Sequence, residues 1–261
     1  MNPLLMIILI FFGVMAGLLG GFLGIGGCVI MLPALYFIFN YPLPLAIGTT
    51  ITAVIITALS GAIGHIRIRN VDYSTVWAIA ISGGLGAAVG SLVFLFIAGQ
   101  TPLLNAILGA AFIYVSIRML YEGLSRRKLQ PKTGDRVPGS KVSKFLLGFG
   151  IGVITGIVGL GGGYVLVPSF IYLLNAPVKI AVGTSLASFL SMAVISSGFK
   201  LVQGVVDPIA AVSLGAGTAI GAQIGARLVP RTPTWLIKSV FGTVFLYVSI
   251  RFILAAFGIR I

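Results

Sequence analysis

Two stretches of this chain carry residue types that can bind an anion without any charged side chain. They are Gly20-Gly21-Phe22-Leu23-Gly24-Ile25-Gly26-Gly27-Cys28-Val29-Ile30-Met31-Leu32-Pro33 and Gly156-Ile157-Val158-Gly159-Leu160-Gly161-Gly162-Gly163-Tyr164-Val165-Leu166-Val167-Pro168. Gly24 and Gly159, Gly26 and Gly161, Gly27 and Gly162, and Pro33 and Pro168 pair at one offset of 135 residues. A helix that begins just after Gly27 or Gly162 exposes unpaired backbone N–H groups and the positive end of its dipole. Glycine lets backbone approach a ligand closely and takes up positive φ. Within a bilayer such a break is tolerated only where the freed backbone is buried in protein or lines a cavity. The spacing therefore predicts two half-helices whose N-termini meet near the membrane midplane around a small oxyanion, the substrate site of a transporter. The bland alternative is close helix packing through small residues. It is preferred for Gly13, Gly17, Gly20, Gly21, Gly86 and Gly90. The prolines that follow both clusters favour a break for Gly24–Gly27 and for Gly159–Gly163. Cys28 stands where the second stretch has Gly163, and reads as a small packing residue of the first half-site.

Further candidates flank these breaks. Thr49, Thr50, Thr184 and Ser185 follow Gly48 and Gly183 near the starts of two apolar segments, where hydroxyl and N–H donors come together; ordinary capping or back-bonding explains them equally well. His65 and Lys200 occupy matching positions 135 apart. Either could hold an anion electrostatically, with interfacial anchoring as the competing explanation. Lys238 is the most internal ionisable group, though near enough to the start of its segment to snorkel, and Arg118 and Arg251 read as interfacial residues at segment ends. The carboxylates Asp72, Glu122, Asp135 and Asp207 all fall in or beside loops, so a cation substrate would lack a counter-charge at depth. One His and one Cys support neither a metal nor thiol catalysis. The chain is expected to be no enzyme and to need no cofactor.

Composition sets the medium. Hydrophobic residues make up 58% of 261 and charged ones 8%, with a mean hydropathy of +1.16. Soluble domains carry about 25% charged residues, so the fold class is an all-α polytopic membrane protein. The net charge is +13. Arg126, Arg127, Lys128, Lys132, Arg136, Lys141 and Lys144 crowd one polar stretch, 123–144, as a cytoplasmic loop requires. No aromatic interleaving or polar module supports nucleic-acid binding. The partners implied are the lipid bilayer and a small anion, with a homodimer left open. The N-terminal apolar run lacks a basic n-region and reads as a first membrane segment.

In order, the segments are A (4–39, with its glycine break near the middle), B (about 45–66), C (74–98) and D (103–121). After the loop they recur as A′ (145–174), B′ (178–202), C′ (208–229) and D′ (234–257). Segment A would reach about 50 Å as one helix, against a core of about 30 Å, so a spanning helix, a break and a shorter second helix are expected. The register also matches Ala46-Ile47-Gly48-Thr49-Thr50 with Ala181-Val182-Gly183-Thr184-Ser185, and Asp72 with Asp207. After a slip of two residues, Tyr114–Arg118 recurs unchanged as Tyr247–Arg251. This predicts a tandem duplication: repeats at 1–122 and 145–261, a basic linker at 123–144, and a pseudo-two-fold relation. If A crosses once, the repeats are parallel with four spans each; if A crosses twice, they are inverted with five. The surface charges do not decide, and broken helices at inverted-repeat interfaces tilt the expectation to the second.

The Gly-x-x-Gly-Gly-x-x-Gly-Ile-Gly-Gly…Pro pattern at 17–33, its echo at 156–168, and the Ala-x-Gly-Thr-[Thr/Ser] pattern at 46–50 and 181–185 resemble the TauE/SafE sulfite exporter family. The likeness covers residues 1–257. It implies a permease of the prokaryotic inner membrane for sulfite, sulfonates or related sulfur-containing anions, and the duplicated helix break points to alternating access of the two repeats. Cys28 departs from the third glycine usual in this pattern. The competing classes are a passive anion channel, a membrane-integral enzyme and an assembly subunit without transport.

Overall fold

The computed structural model describes residues 3–23, 27–124, 134–228 and 234–259. The described helices are α1 (Pro3–Leu23), α2 (Cys28–Phe37), α3 (Leu43–Arg67), α4 (Tyr73–Ile97), α5 (Thr101–Leu124), α6 (Lys141–Val158), α7 (Gly163–Pro168), α8 (Val178–Val202), α9 (Pro208–Leu228) and α10 (Thr234–Ala256). Among the described residues there is no strand. Helices α3, α4, α5, α6 and α8 are long and apolar enough to cross a membrane. Segment A divides as expected, into α1 and a ten-residue α2. At 1.5 Å per residue α2 spans about half of the hydrocarbon core. The glycines, and not the prolines, mark the breaks. Pro33 lies inside α2, and Pro168 ends α7 where the chain passes into a π-helical turn over Ser169–Leu173. Such a turn accommodates the hydrogen bond that proline cannot make.

The surface is apolar and much of the interior is small or hydroxylic. Phe96, Phe11 and Trp77 are 79%, 69% and 68% exposed, while Thr49, Thr50, Thr184, Ser185, Ser188 and Ser196 are fully enclosed. A lipid solvent reverses the aqueous arrangement, because helices in a bilayer gain association energy from close packing and interhelical hydrogen bonds.

The chain forms two compact units, one with α1–α3, α4 up to Leu95 and α6–α9, the other with α5 and α10. This partition differs from the linear division read from the sequence, because α5 and α10, the D and D′ segments, pack on each other. In that smaller unit Ser116 donates to the Gly242 carbonyl at 3.0 Å and Ser249 donates to the Gly109 carbonyl at 2.8 Å. The two bonds are reciprocal at the offset of 133 residues that relates Tyr114–Arg118 to Tyr247–Arg251.

In the larger unit α3 and α8 cross as a central pair. Gly48 abuts the Val205 carbonyl, Thr52 and Ser197 share a hydrogen bond of 2.8 Å, Gly61 meets Leu186, and Gly183 abuts the Asn70 carbonyl. The contacts descend on one helix as they ascend on the other, so α3 and α8 are antiparallel. Glycines let two further pairs touch along their backbones. Gly13 and Gly17 of α1 meet Leu214 and Thr218 of α9; Gly148 and Gly152 of α6 meet Ile79 and Gly83 of α4. Both pairs are parallel, and each contact in one recurs in the other 135 residues away. The packing explanation for Gly13, Gly17, Gly86 and Gly90 therefore stands. We expect Gly152→Val to lower the yield of folded, monodisperse protein in detergent severalfold, because a Cβ there would strike the Gly83 carbonyl, and overpacking a fitted backbone contact costs about 1–3 kcal/mol or more. Size-exclusion elution of a fluorescent fusion measures it.

Candidate functional site

The second glycine cluster breaks its helix in full view. Helix α6 ends at Val158, and Gly159 caps it in the left-handed region (φ 65°), donating to the Thr155 carbonyl at 2.9 Å. No side chain fits there, since a Cβ would fall 2.6 Å from Ile47 Cγ2 and 2.8 Å from the Ile47 carbonyl oxygen. Helix resumes at Gly163, and the amides of Val165 and Leu166 both turn back to the Gly162 carbonyl, at 3.1 and 2.7 Å. The first cluster repeats the restart: Ile30 and Met31 both donate to the Gly27 carbonyl at 3.1 Å, although Gly27 is left-handed (φ 73°) where its counterpart Gly162 is right-handed (φ −56°). Gly24 and Gly26 lie outside the described residues. Each new helix leaves its first amides without intrahelical acceptors.

The two breaks meet. A Cβ at Gly161 would stand 3.1 Å from the Cys28 sulfur, and the Gly161 amide is directed at that sulfur. The Phe189 ring covers both Gly161 and Gly162, at 2.9 and 3.0 Å from their Cβ positions, and the Met192 sulfur stands 3.4 Å from that of Gly162. Residues 158–164 are all buried. Around this junction are buried hydroxyls with no hydrogen-bond partner: Thr155 Oγ1, 3.4 Å from the Gly162 position, Tyr164 Oη on α7, and Thr50 Oγ1, one turn beyond Ile47 in α3. Buried polar atoms are normally satisfied, so the orphaned hydroxyls of Thr155 beside Gly162, of Tyr164 in α7 and of Thr50 in α3 are candidate donors to a small anion.

The other sequence candidates are distributed elsewhere. Thr49 and Thr184 do not sit at helix N-termini: α3 starts at Leu43 and α8 at Val178, each capped by a proline. Their hydroxyls instead accept from the backbone amides of Asp207 and Asp72, both at 3.0 Å. Ser185 bonds back to the Val182 carbonyl at 2.8 Å. His65 is half-buried, with its Cβ against Gly183 and its Nδ1 buried and unpartnered. Lys200 is wholly enclosed, so it does not reach the interface as an anchor would. The Lys238 side chain lies outside the described residues. Arg118 pairs with Glu122 at 2.9 Å.

Lys144, counted from sequence with the basic loop, is instead a buried residue of α6. Its Nζ donates to Thr75 Oγ1 and to the Val137 carbonyl, both at 2.7 Å, and lies 4.0 Å from Asp72 Oδ2. Asp72 caps α4, accepting from the Ser74 and Thr75 amides, and takes the Thr75 hydroxyl at 2.7 Å and the Val137 amide at 3.0 Å. Burial opposes the carboxylate's charge, but the Thr75 hydroxyl, the Val137 and Thr75 amides and the Lys144 ammonium outweigh it and hold Asp72 below the usual carboxylate range. Asp207 likewise caps α9 through the Ala210 amide, and accepts the Tyr41 hydroxyl at 3.0 Å. Burial, then that bond and the nearby negative charge, push Tyr41 up to about 12.

Phe189, Met192, Thr155 and Tyr164 lie at the candidate site and were not singled out from the sequence. Tyr164 had a signal, a hydroxyl inside the glycine cluster where the first stretch has Val29. Phe189 and Met192 had none, since apolar residues in an apolar helix do not announce what they face.

Apolar helices broken at buried glycines, packed through small and hydroxylic residues, define a polytopic membrane protein. Comparison with known proteins gives the particular group: the chain belongs to the Sulfite exporter TauE/SafE family, whose profile matches residues 9–252. It is 26% identical to the probable membrane transporter protein YunE of Bacillus subtilis, over 95% of this chain and 97% of that one. It is 28% identical to the probable membrane transporter protein YdhB of the same organism (90% and 94% covered), and 29% to a probable membrane transporter protein of Xylella fastidiosa (91% of each). No solved structure matches.

Proposed function

We propose that this chain is a secondary transporter of the cytoplasmic membrane that carries a small sulfur-containing anion, such as sulfite or an organosulfonate, by alternating access. The observation that carries the reading is the meeting of the two helix breaks, Cys28 against Gly161, amid the orphaned hydroxyls of Thr50, Thr155 and Tyr164. Backbone amides, helix dipoles and neutral hydroxyls bind an oxyanion without a fixed counter-ion, so release needs no ion pair to be broken. The family's description supports sulfur chemistry in the cargo.

Antiparallel α3 and α8, with the reciprocal contacts of α1 with α9 and α6 with α4, support two inverted repeats related by an axis in the membrane plane. Alternating access then exchanges the packing of one half for its counterpart in the other. The basic 123–144 stretch faces the cytoplasm in this arrangement. On that basis the end of α3 bearing His65 faces inward and the end of α8 bearing Lys200 faces outward.

Uptake of labelled sulfite and of an alkylsulfonate into proteoliposomes tests the function. Saturable flux, accelerated by unlabelled anion on the far side, is the expected result. Flux that never saturates marks a channel, and no flux of any sulfur oxyanion removes the reading. Thiol labelling of single cysteines placed near 203 and 231, in a background without Cys28, tests the orientation; both sites are expected to react from outside and inside respectively.

A further inference from the structure

Lys200 is buried completely, and its Nζ has no hydrogen-bond partner among the described residues. It stands 3.0 Å above the centre of the Phe94 ring, itself fully enclosed. Around it α4 and α8 contribute more polar atoms. Ser91 Oγ donates to Ser196 Oγ at 3.3 Å, and Gln203 Nε2 donates to the Ser91 carbonyl at 2.9 Å, leaving Gln203 Oε1 buried and unpartnered as well. No carboxylate pairs with Lys200 among the described residues. An enclosed amine without hydrogen bonds or counter-charge is costly to keep, and the Phe94 face recovers only part of that cost. Within a membrane segment such a residue marks function.

Its place along α8 says what the function is. Phe189 and Met192 cover the glycine break, and Ser196 and Lys200 continue that face of the helix. From Met192 to Lys200 is eight residues, about 12 Å of helix. The cluster is therefore separate from the break and lies between it and the C-terminal end of α8. We propose that Lys200, with Ser91, Ser196 and Gln203, forms a second anion station through which a small oxyanion passes between the helix breaks and the membrane face at that end. This rests on the transport reading for its direction of traffic, but the site itself does not. An arriving oxyanion supplies the acceptors that the ammonium lacks, and the serine hydroxyls turn to donate to it. The ion-pair geometry at Lys144 shows what an occupied lysine looks like in this fold; Lys200 is buried more deeply and has none of those partners.

The experiment is thermal unfolding of the purified full chain in detergent, titrated with sulfite and separately with methanesulfonate, for wild type, Lys200→Met and Lys200→Arg. Lys200→Met fits beside Phe94 and removes the unpaired polar group, so it should unfold at a higher temperature than wild type without anion. It should need at least tenfold more sulfite for half of the anion-induced stabilisation, while Lys200→Arg stays within about threefold of wild type. Equal sulfite midpoints for wild type and Lys200→Met overturn the station, as does the absence of any anion-induced shift in wild type. Loss of heat stability in anion-free Lys200→Met would make the lysine a structural prop and also overturn it. The two readings fail separately. Saturable uptake that Gly161→Leu abolishes and Lys200→Met leaves at its original half-saturation keeps the transporter and removes the station. A Lys200-dependent anion shift without transport does the reverse.

Discussion

Gly161→Leu abolishes saturable anion uptake while leaving the chain inserted in the membrane. Gly161 is where the two breaks touch: its Cβ position is 2.9 Å from Phe189 Cζ and 3.1 Å from Cys28 Sγ. Alanine there would already force the ring and the sulfur to give way. Leucine adds three further carbons to a space enclosed on every side, displacing Phe189 or the Cys28 end of α2 and misplacing the donors of both half-helices. Small displacements of a preorganised donor set are enough to lose an anion held only by dipoles and hydroxyls. Insertion, by contrast, responds to the summed apolarity of the segment, which rises with leucine. Membrane fractionation and proteoliposome flux separate the two effects. Normal uptake by Gly161→Leu would mean that the junction is only packing. Gly161→Ala should fall between, with a raised half-saturation concentration, because one methyl displaces its neighbours by a few tenths of an ångström.

What the sequence disclosed follows from where the physics is local. Glycine pairs alone do not break a helix, since Gly20-Gly21 and Gly83-Gly84 lie inside α1 and α4. The clusters followed by proline do, so the end of α6, α7 and the start of α2 fall where the residues placed them, and B′ matches α8 at both ends. Asp72 and Asp207 were legible as loop residues because caps depend on a few neighbouring amides. Partners distant in the chain were not legible. Lys144 looked like one more loop cation because its salt bridge depends on a turn 72 residues earlier. Thr49 and Thr184 looked like helix-start residues because the proline caps that lengthen α3 and α8 act several residues upstream. The grouping of α5 with α10 needed the reciprocal serine bonds to be seen. Antiparallel pairing of α3 with α8 was beyond composition altogether: it shows only in contacts such as Gly48 with Val205 and Gly183 with Asn70.

Asp72→Ala destabilises the protein by about 3–5 kcal/mol, most of which Lys144→Met restores. Asp72 and Lys144 are 6% and 8% exposed, and removal of one partner strands the other as an uncompensated buried charge, whose cost is of that size. The reverse single change is milder. In Lys144→Met the carboxylate still accepts from Thr75, Val137 and Ser74, so it stays satisfied, and melting temperatures should order as wild type, then Lys144→Met near the double variant, then Asp72→Ala well below. Thermal unfolding in detergent measures this, and an Asp72→Ala variant as stable as wild type would sink it. Because the folded carboxylate titrates below its unfolded range near 4, the unfolded chain binds the extra proton. This contribution is therefore full at neutral pH and fades on acidification through the folded value, a loss absent from Asp72→Ala. At the opposite end Asp207 has the Tyr41 hydroxyl in place of an ammonium, a bond to a charged group worth about 1.5–3 kcal/mol, so Tyr41→Phe should cost no more than about 3 kcal/mol. The network at Asp72 is thus the stronger of the two.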